Sequence, residues 1–370
     1  MTDQPLTYAG SGVSYDAMDP FKRACQLAGL ETAGNIQRLA NGEFKEWEAS
    51  RGESAYLIEA ARSYFAHVEE GLGTKNLVAD AMYALTGKSY YDHVAQDTVA
   101  MIVNDMITLG ALPLSVAMHL AVGDSSWFDD EQRWNDLIRG WATACTLARC
   151  VWGGGETPTL KDVVIPGAVV LSGSAMGIVK PKERLIRTNI QHGDAIVMLA
   201  SSGVHANGLT LARKIAERTG YDAKLSDGRM FGEALLDPTA IYVPVVEDCQ
   251  EAGIDLHYAV NVTGHGWRKL MRAVEPFIYE INRIPRPQPV FEFIQEHGPV
   301  DVEEMYGNYN MGAGFALYVS GPDTQRVIQV AEQSGIEAWV AGHIAKAGDM
   351  KRVVIQPWGL SYDGSTLGVR

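Results

Sequence analysis

The sequence predicts an α+β fold in two domains, and three observations carry that reading. The chain has 370 residues, about two domains at ~100–200 residues each. Segments of helical spacing and short apolar runs alternate in both halves without a regular β-α-β count, which favours α+β over a doubly wound sheet. A charged piece, Lys180-Pro181-Lys182-Glu183-Arg184, stands between two stretches in which the pattern starts afresh. It divides the chain into residues 1–180 and 181–370.

The elements follow in order. Residues 1–50 are polar and glycine-spotted, an arm plus a helix. Ser63 to Val68 reads as a short strand running into the turn Glu69-Glu70-Gly71-Leu72-Gly73-Thr74-Lys75, after which comes the apolar stretch Leu77–Leu85. Val94 to Leu109 has helical character, with Pro113 soon after its end. Glu131 to Cys150 is a second helix, because Trp134, Leu137, Ile138, Trp141 and Cys145 recur at helical spacing. Gly153-Gly154-Gly155-Glu156 then comes ahead of a strand, Ala168–Val179. Beyond the boundary lie strand Asp194–Ala200, loop Ser201–Gly208 and helix Leu209–Arg218. The Pro-rich excursion Arg283–Pro289 and the strands Phe315–Val319 and Ala338–Ile344 follow.

Charge narrows the function. Lys plus Arg number 31 against 45 Asp plus Glu, a formal charge of −14, so the chain lacks the basic surface that grips a nucleic-acid backbone. It can still bind a small anion through a local site of backbone N–H groups and one or two lysines. The most apolar region, Val99 to Val122, is broken by Asn104, Asp105, Pro113 and His119, unlike a membrane span of about 20 apolar residues. The cysteines Cys25, Cys145, Cys150 and Cys249 form no C-x-x-C pair, and Met1 to Pro5 lacks the pattern of a signal peptide. The expectation is a reduced cytoplasmic protein.

Chemistry concentrates in four places. On the helix Val94–Leu109, Asp97, Met101, Asn104 and Asp105 share one face among apolar neighbours. A carboxylate near a core costs several kcal/mol unless an arginine, a helix terminus or a divalent cation compensates it; a solvated polar stripe is the plain alternative. The turn Glu69–Lys75 sets acids before Gly-x-Gly and Thr-Lys, residue types that suit a phosphate and Mg²⁺ and also suit an ordinary turn. Three successive glycines before Glu156 make sense where a backbone must approach something closely, or as a flexible turn. His205 and Asn207 stand in a strand–loop–helix junction of the kind that binds anions, though a lone loop histidine is commonly just solvated. P-loop and dinucleotide fingerprints are incomplete, and neither G-x-S-x-G nor H-E-x-x-H occurs.

The order of these blocks resembles the aminoimidazole ribonucleotide synthetase family, also called phosphoribosylformylglycinamidine cyclo-ligase, from Tyr8 to about Pro357. The carriers are Ser11-Gly12-Val13, Gly71-Leu72-Gly73-Thr74-Lys75, Gln96-Asp97-Thr98-Val99-Ala100-Met101-Ile102-Val103-Asn104-Asp105 and Gly154-Gly155-Glu156-Thr157. Ser201 through Gly208, Leu236 through Val243, Val262-Thr263-Gly264 and Glu304 through Gly314 continue the series. The superfamily also holds selenophosphate synthetase, thiamine-monophosphate kinase and a hydrogenase-maturation protein. The Q-D-x-V-A-M-x-V-N-D and N-M-G-x-G blocks point to the cyclo-ligase branch.

The resemblance implies a homodimer of two-domain α+β subunits. A mixed α/β N-terminal domain would bind ATP and Mg²⁺ and place strands at the dimer interface, and a C-terminal domain would complete the ribonucleotide site. It implies Mg²⁺ on Glu70, Asp97 and Asp105, with nucleotide contacts from Gly71, Gly73, Thr74, Lys75, Asn104, Gly154, Gly155 and Glu156. Lys75, Asp105, His205 and Asn207 become the catalytic candidates. The chain departs from the family pattern at Glu70, where the family has aspartate, and at Asn261 and His265, where it has histidine and glycine. It also departs at Asn41–Glu46 and Pro158–Lys161. Two other readings stay open: a paralogue phosphorylating a different amide, carboxylate or phosphate, and a non-catalytic nucleotide-binding dimer.

Overall fold

The computed structural model describes residues 15–367 together with Thr7 and Gly10. Tyr8 and Ser11-Gly12-Val13 lie outside the described residues. The α+β expectation is met by two sheets, each with its own helices. The first has the strand order β1-β2-β3-β6-β4-β5, built from β1 (Lys45–Glu46), β2 (Tyr56–Glu59), β3 (Tyr64–Gly71), β4 (Leu112–Val122), β5 (Val151–Glu156) and β6 (Val169–Val179). Its neighbours are antiparallel except β4 and β5. The helices of this half are α1 (Tyr15–Glu31), α2 (Lys75–Thr86), α3 (Tyr91–Met106) and α4 (Glu131–Leu147).

Period-two patterning sets the faces of this sheet. In β6 the residues Val169, Leu171, Gly173, Ala175, Gly177 and Val179 are buried and the intervening ones are not. The buried face packs on α3, which also lies against α4. Helix α3 is therefore buried on nearly every side. The opposite face carries His67, Glu69, Ser172, Ser174 and Met176 and faces outward.

Two strands correct the sequence reading. The stretch Leu112–Val122, taken there as the end of an apolar region broken by Pro113, is the long strand β4. The glycine segment at 153–155, read either as a place of close backbone approach or as a flexible turn, lies within edge strand β5, paired to β4. Glycine is needed there for close approach. A Cβ at Gly153 would stand 2.1 Å from Ser115 Oγ, and one at Gly155 would stand 2.3 Å from the Met118 carbonyl oxygen.

The second sheet has the order β13-β12-β9-β11-β7-β10-β8. Its strands are β7 (Ala195–Ala200), β8 (Tyr258–Asn261), β9 (Ile278–Ile281), β10 (Ala313–Val319), β11 (Ala338–Ala345), β12 (Arg352–Ile355) and β13 (Leu360–Asp363). Every residue of β10 is buried, as a central strand covered on both faces requires. Its helices are α5 (Leu209–Thr219), α6 (Phe231–Leu235), α7 (Val243–Glu251), α8 (Pro289–His297), α9 (Val302–Asn308) and α10 (Thr324–Gln333). The loop Leu236–Tyr242, between α6 and α7, meets α3 and joins the halves.

Candidate functional site

The polar stripe of α3 is spent largely on that junction. His93 Nδ1 lies 2.8 Å from the Leu236 carbonyl oxygen, and Gln96 Nε2 donates to the Thr239 carbonyl at 2.9 Å. Asp97 Oδ1 accepts from the Thr239 N–H at 2.8 Å and from its hydroxyl. Asn104 donates to the Ala240 carbonyl at 2.8 Å and accepts from the Tyr242 N–H at 2.9 Å. A buried loop leaves backbone donors and acceptors that need partners, and this helix face supplies them.

Lys75 belongs to the same joint. Its Nζ is 2.8 Å from Asp97 Oδ2, and neither side chain is exposed. It also donates to the carbonyls of Asp237 at 2.8 Å and His205 at 3.1 Å. Asp97 is therefore not brought to Glu70 and Asp105 as a third metal ligand, and Lys75 does not face open space for a phosphate. Each is committed to the other and to the loop.

His205 is likewise turned inward. It is buried at φ 59°, its Nε2 accepts from the Ser202 N–H at 3.2 Å, and its ring lies against Tyr242. Burial, with the charge of Lys75 second, pushes its imidazole down to about 3, so it is neutral at physiological pH. It shapes the 201–208 loop, whereas Asn207 from the same loop reaches a cavity.

That cavity, about 470 Å³, opens between the halves beneath α1. Glu70, next to last in β3, and Asp105, near the end of α3, line it with Asn207, Glu53, Lys269 and Arg272. Glu69 and Glu70 point to opposite faces of the sheet by strand alternation, which is why one of the two acids enters. Burial, then the charge of Asp105, raises the Glu70 carboxyl to about 7, with Lys269 and Arg272 opposing. Asp105 Oδ1 accepts from Asn261 Nδ2 at 2.6 Å.

Among the described residues, no group of three or more His, Cys, Asp or Glu side chains is arranged to hold a metal ion. Two hard carboxylates still fit Mg²⁺, which commonly takes one or two carboxylates together with substrate phosphates. A cation held by Glu70 and Asp105 would offset the burial and the repulsion that together raise Glu70.

The remaining sequence candidates lie elsewhere. Gly155 and Glu156 line a hollow of about 510 Å³ on the outer face of the first sheet, with Glu69, His119, Ser172 and Ser174. Gly154 lines a neighbouring depression beside Trp152. Gly71, Gly73 and Thr74 lead into α2; a Cβ on Gly73 would meet nothing within 4 Å, and Thr74 Oγ1 is buried without a hydrogen-bond partner among the described residues.

Comparison with known proteins finds a family match in both halves of the chain. The family model for the AIR synthase related protein N-terminal domain covers residues 53–179, and that for the C-terminal domain covers residues 191–355. The chain belongs to the AIR synthase related family. It is 37% identical over 366 residues to the phosphoribosylformylglycinamidine cyclo-ligase of Carboxydothermus hydrogenoformans, covering 95% of this chain and 99% of that one. The enzyme of the same name from Methanocaldococcus jannaschii is 36% identical over 294 residues, covering 78% of this chain and 81% of its own. The fold is shared with the HypE–HypF complex structure at a TM-score of 0.61 and 15% identity, covering 90% of this chain and 98% of that one. It is also shared with AaThiL complexed with AMPPCP and TMP, at 0.56 and 12%, covering 89% and 92%.

This AIR synthase related chain holds cavity residues that the sequence reading missed. Glu53 accepts from Tyr258 Oη at 3.0 and 3.2 Å. Arg272 donates to the Gly52 carbonyl at 2.7 Å and to Ser54 Oγ at 3.1 Å. Lys269 Nζ donates to Thr263 Oγ1 at 2.6 Å. Asn261 and Thr263 were visible only through the departure and the Val262-Thr263-Gly264 block. Lys269 sits in a short helical turn, Gly266–Met271, and Arg272 follows directly after it, with no sequence signal of their own. His265, at φ 70°, brings a buried ring to the cavity wall.

Proposed function

We propose that this chain closes the imidazole ring of formylglycinamidine ribonucleotide, using ATP and releasing ADP and phosphate. The carrying observation is the cavity that pairs Glu70 and Asp105, in a chain 37% identical over nearly its whole length to a named cyclo-ligase. In this reading the formamide oxygen attacks the γ-phosphorus and the bond to ADP breaks. The neighbouring nitrogen then attacks the carbon that bears this oxygen, the C–O bond to the phosphoryl group breaks, and phosphate leaves as the nitrogen gives up a proton. A transferring phosphoryl group demands positioning and charge stabilisation above all. Mg²⁺, held by Glu70 and Asp105, would neutralise phosphate charge. Asn207 offers the ligand a neutral amide, while Lys75, Asp97, Asn104 and His205 hold the two halves in register. The outward sheet face, with the glycine strand β5 at its edge, is the surface for a second copy in a homodimer, and the division of labour between residues 1–180 and 181–370 follows the resemblance.

The test is to mix purified protein with ATP, Mg²⁺ and formylglycinamidine ribonucleotide and follow ADP and the aminoimidazole together. Matched formation of both supports the reading; ADP without ring closure, or neither product, overturns it. One observation favours a second reading. His265 fills cavity wall where the family pattern has glycine, which suits a paralogue phosphorylating a differently shaped substrate.

A further inference from the structure

The cavity contains a cation whose donors are not all spent. Lys269 is 7% exposed, yet among the described residues its ammonium has one hydrogen-bond acceptor, Thr263 Oγ1. An ammonium carries three N–H donors, so two are left for the cavity. Arg272 beside it differs, because its guanidinium donates to Gly52 and Ser54. Asp105 and Glu70 act on Lys269 through charge rather than through an ion-pair contact, and burial still outweighs them, pushing the amine down to about 8. Burying a charge without full compensation is costly, and a structural lysine would be expected to find closer partners, as Lys75 does with three acceptors.

We infer that Lys269 is a phosphate-binding residue of this cavity, its two uncommitted N–H groups reserved for phosphoryl oxygens of the bound ligand. A tetrahedral phosphate between Lys269 and the Glu70–Asp105 pair would supply the missing acceptors for the ammonium. It would also give a metal on the carboxylates the oxygens that it lacks. The inference rests on the cavity being the site of the proposed reaction, which offers two phosphate sources: the nucleotide and the ribose 5-phosphate portion of the substrate.

The experiment measures binding without turnover. Calorimetry with ADP plus Mg²⁺ and, separately, with ribose 5-phosphate is run on the intact chain and on Lys269→Met and Lys269→Arg, each checked by thermal melting. Losing two charge-assisted hydrogen bonds should weaken one probe by about tenfold to a hundredfold in Lys269→Met, with most of the loss recovered in Lys269→Arg. The probe that weakens names the phosphate source. Unchanged binding of both probes in Lys269→Met, equal loss in a folded Lys269→Arg, or no binding of either probe by the intact chain overturns the assignment. Intact phosphate binding in a chain without cyclo-ligase turnover would overturn the proposed reaction and leave Lys269 in place.

Discussion

Lys75 and Asp97 form an ion pair at 2.8 Å with neither side chain exposed, and it ties α2 and α3 of the first half to the Leu236–Tyr242 loop of the second. Their placement separates two jobs that sequence order runs together. Asp97 and Asn104 hold the joint, while Asp105, one residue beyond Asn104, turns into the cavity.

Removing one partner of that pair leaves a buried charge alone. Lys75→Met should therefore cost about 3–5 kcal/mol of unfolding free energy. Lys75→Met combined with Asp97→Asn should cost clearly less, since no charge is then left behind. Urea denaturation of the two variants checks this; equal losses would mean that the pair does not carry the joint.

His205 gives a pH prediction whose sign is fixed by burial. Its imidazole falls from an ordinary 6.5 to about 3 in the folded chain. Between those values the unfolded chain binds the proton and the folded chain does not, so this residue makes stability rise with pH from 3 to 6.5 and level off above. At pH 5 the loss relative to pH 7 is on the order of 2 kcal/mol, at 1.36 kcal/mol per pH unit. Asn tolerates positive φ and offers an oxygen to the Ser202 N–H. His205→Asn should thus flatten that slope in urea titrations at pH 5 and 7, and an unchanged slope would place the protonation elsewhere.

Such roles show why the fold was more legible than the site. Apolar periodicity located β6, β7, α3, α4 and α5 because burial imposes its spacing directly on the residues. Strand β4 escaped because its Pro113 mimicked a helix stop, and β5 escaped because three glycines signal close approach or a flexible turn without showing that the approach is to a paired strand. Asp105 and Glu70 were readable as acids among apolar residues. Asp97 and Lys75 were equally readable, but the sequence could not say that their compensation was mutual. Lys269 and Arg272 were invisible, since only the packing of β8 and the turn after it against the end of α3 brings them beside Asp105.

The glycines divide by what surrounds them. Gly155→Ala drives a Cβ to 2.3 Å from the Met118 backbone oxygen, which should displace β5 and cost about 1–3 kcal/mol. Gly73→Ala meets nothing within 4 Å and should leave stability within about 0.5 kcal/mol. If the 71–75 turn serves the nucleotide, Gly73→Ala should still weaken ADP binding. Melting curves and ADP calorimetry on both variants separate the packing role from the binding role; normal ADP affinity in Gly73→Ala would remove that turn from the site.

The acid pair in the cavity predicts how metal binds. Glu70 and Asp105 supply two carboxylates, too few for a closed cage of protein ligands around a hard divalent cation, and phosphate oxygens would have to supply more. Mn²⁺, used as a paramagnetic probe for Mg²⁺, should therefore bind weakly to the protein alone and at least about tenfold more tightly once ADP is present. Asp105→Asn should lose that enhancement and the turnover with it. The same substitution removes the negative charge that acts most strongly on Glu70, so that carboxyl should fall below about 7, with burial still holding it above its ordinary value. Carboxyl resonances followed by NMR through a pH titration would report the shift. Tight Mn²⁺ binding without nucleotide would show a fuller ligand set than these two acids provide, and wild-type turnover in Asp105→Asn would take the metal away from this pair.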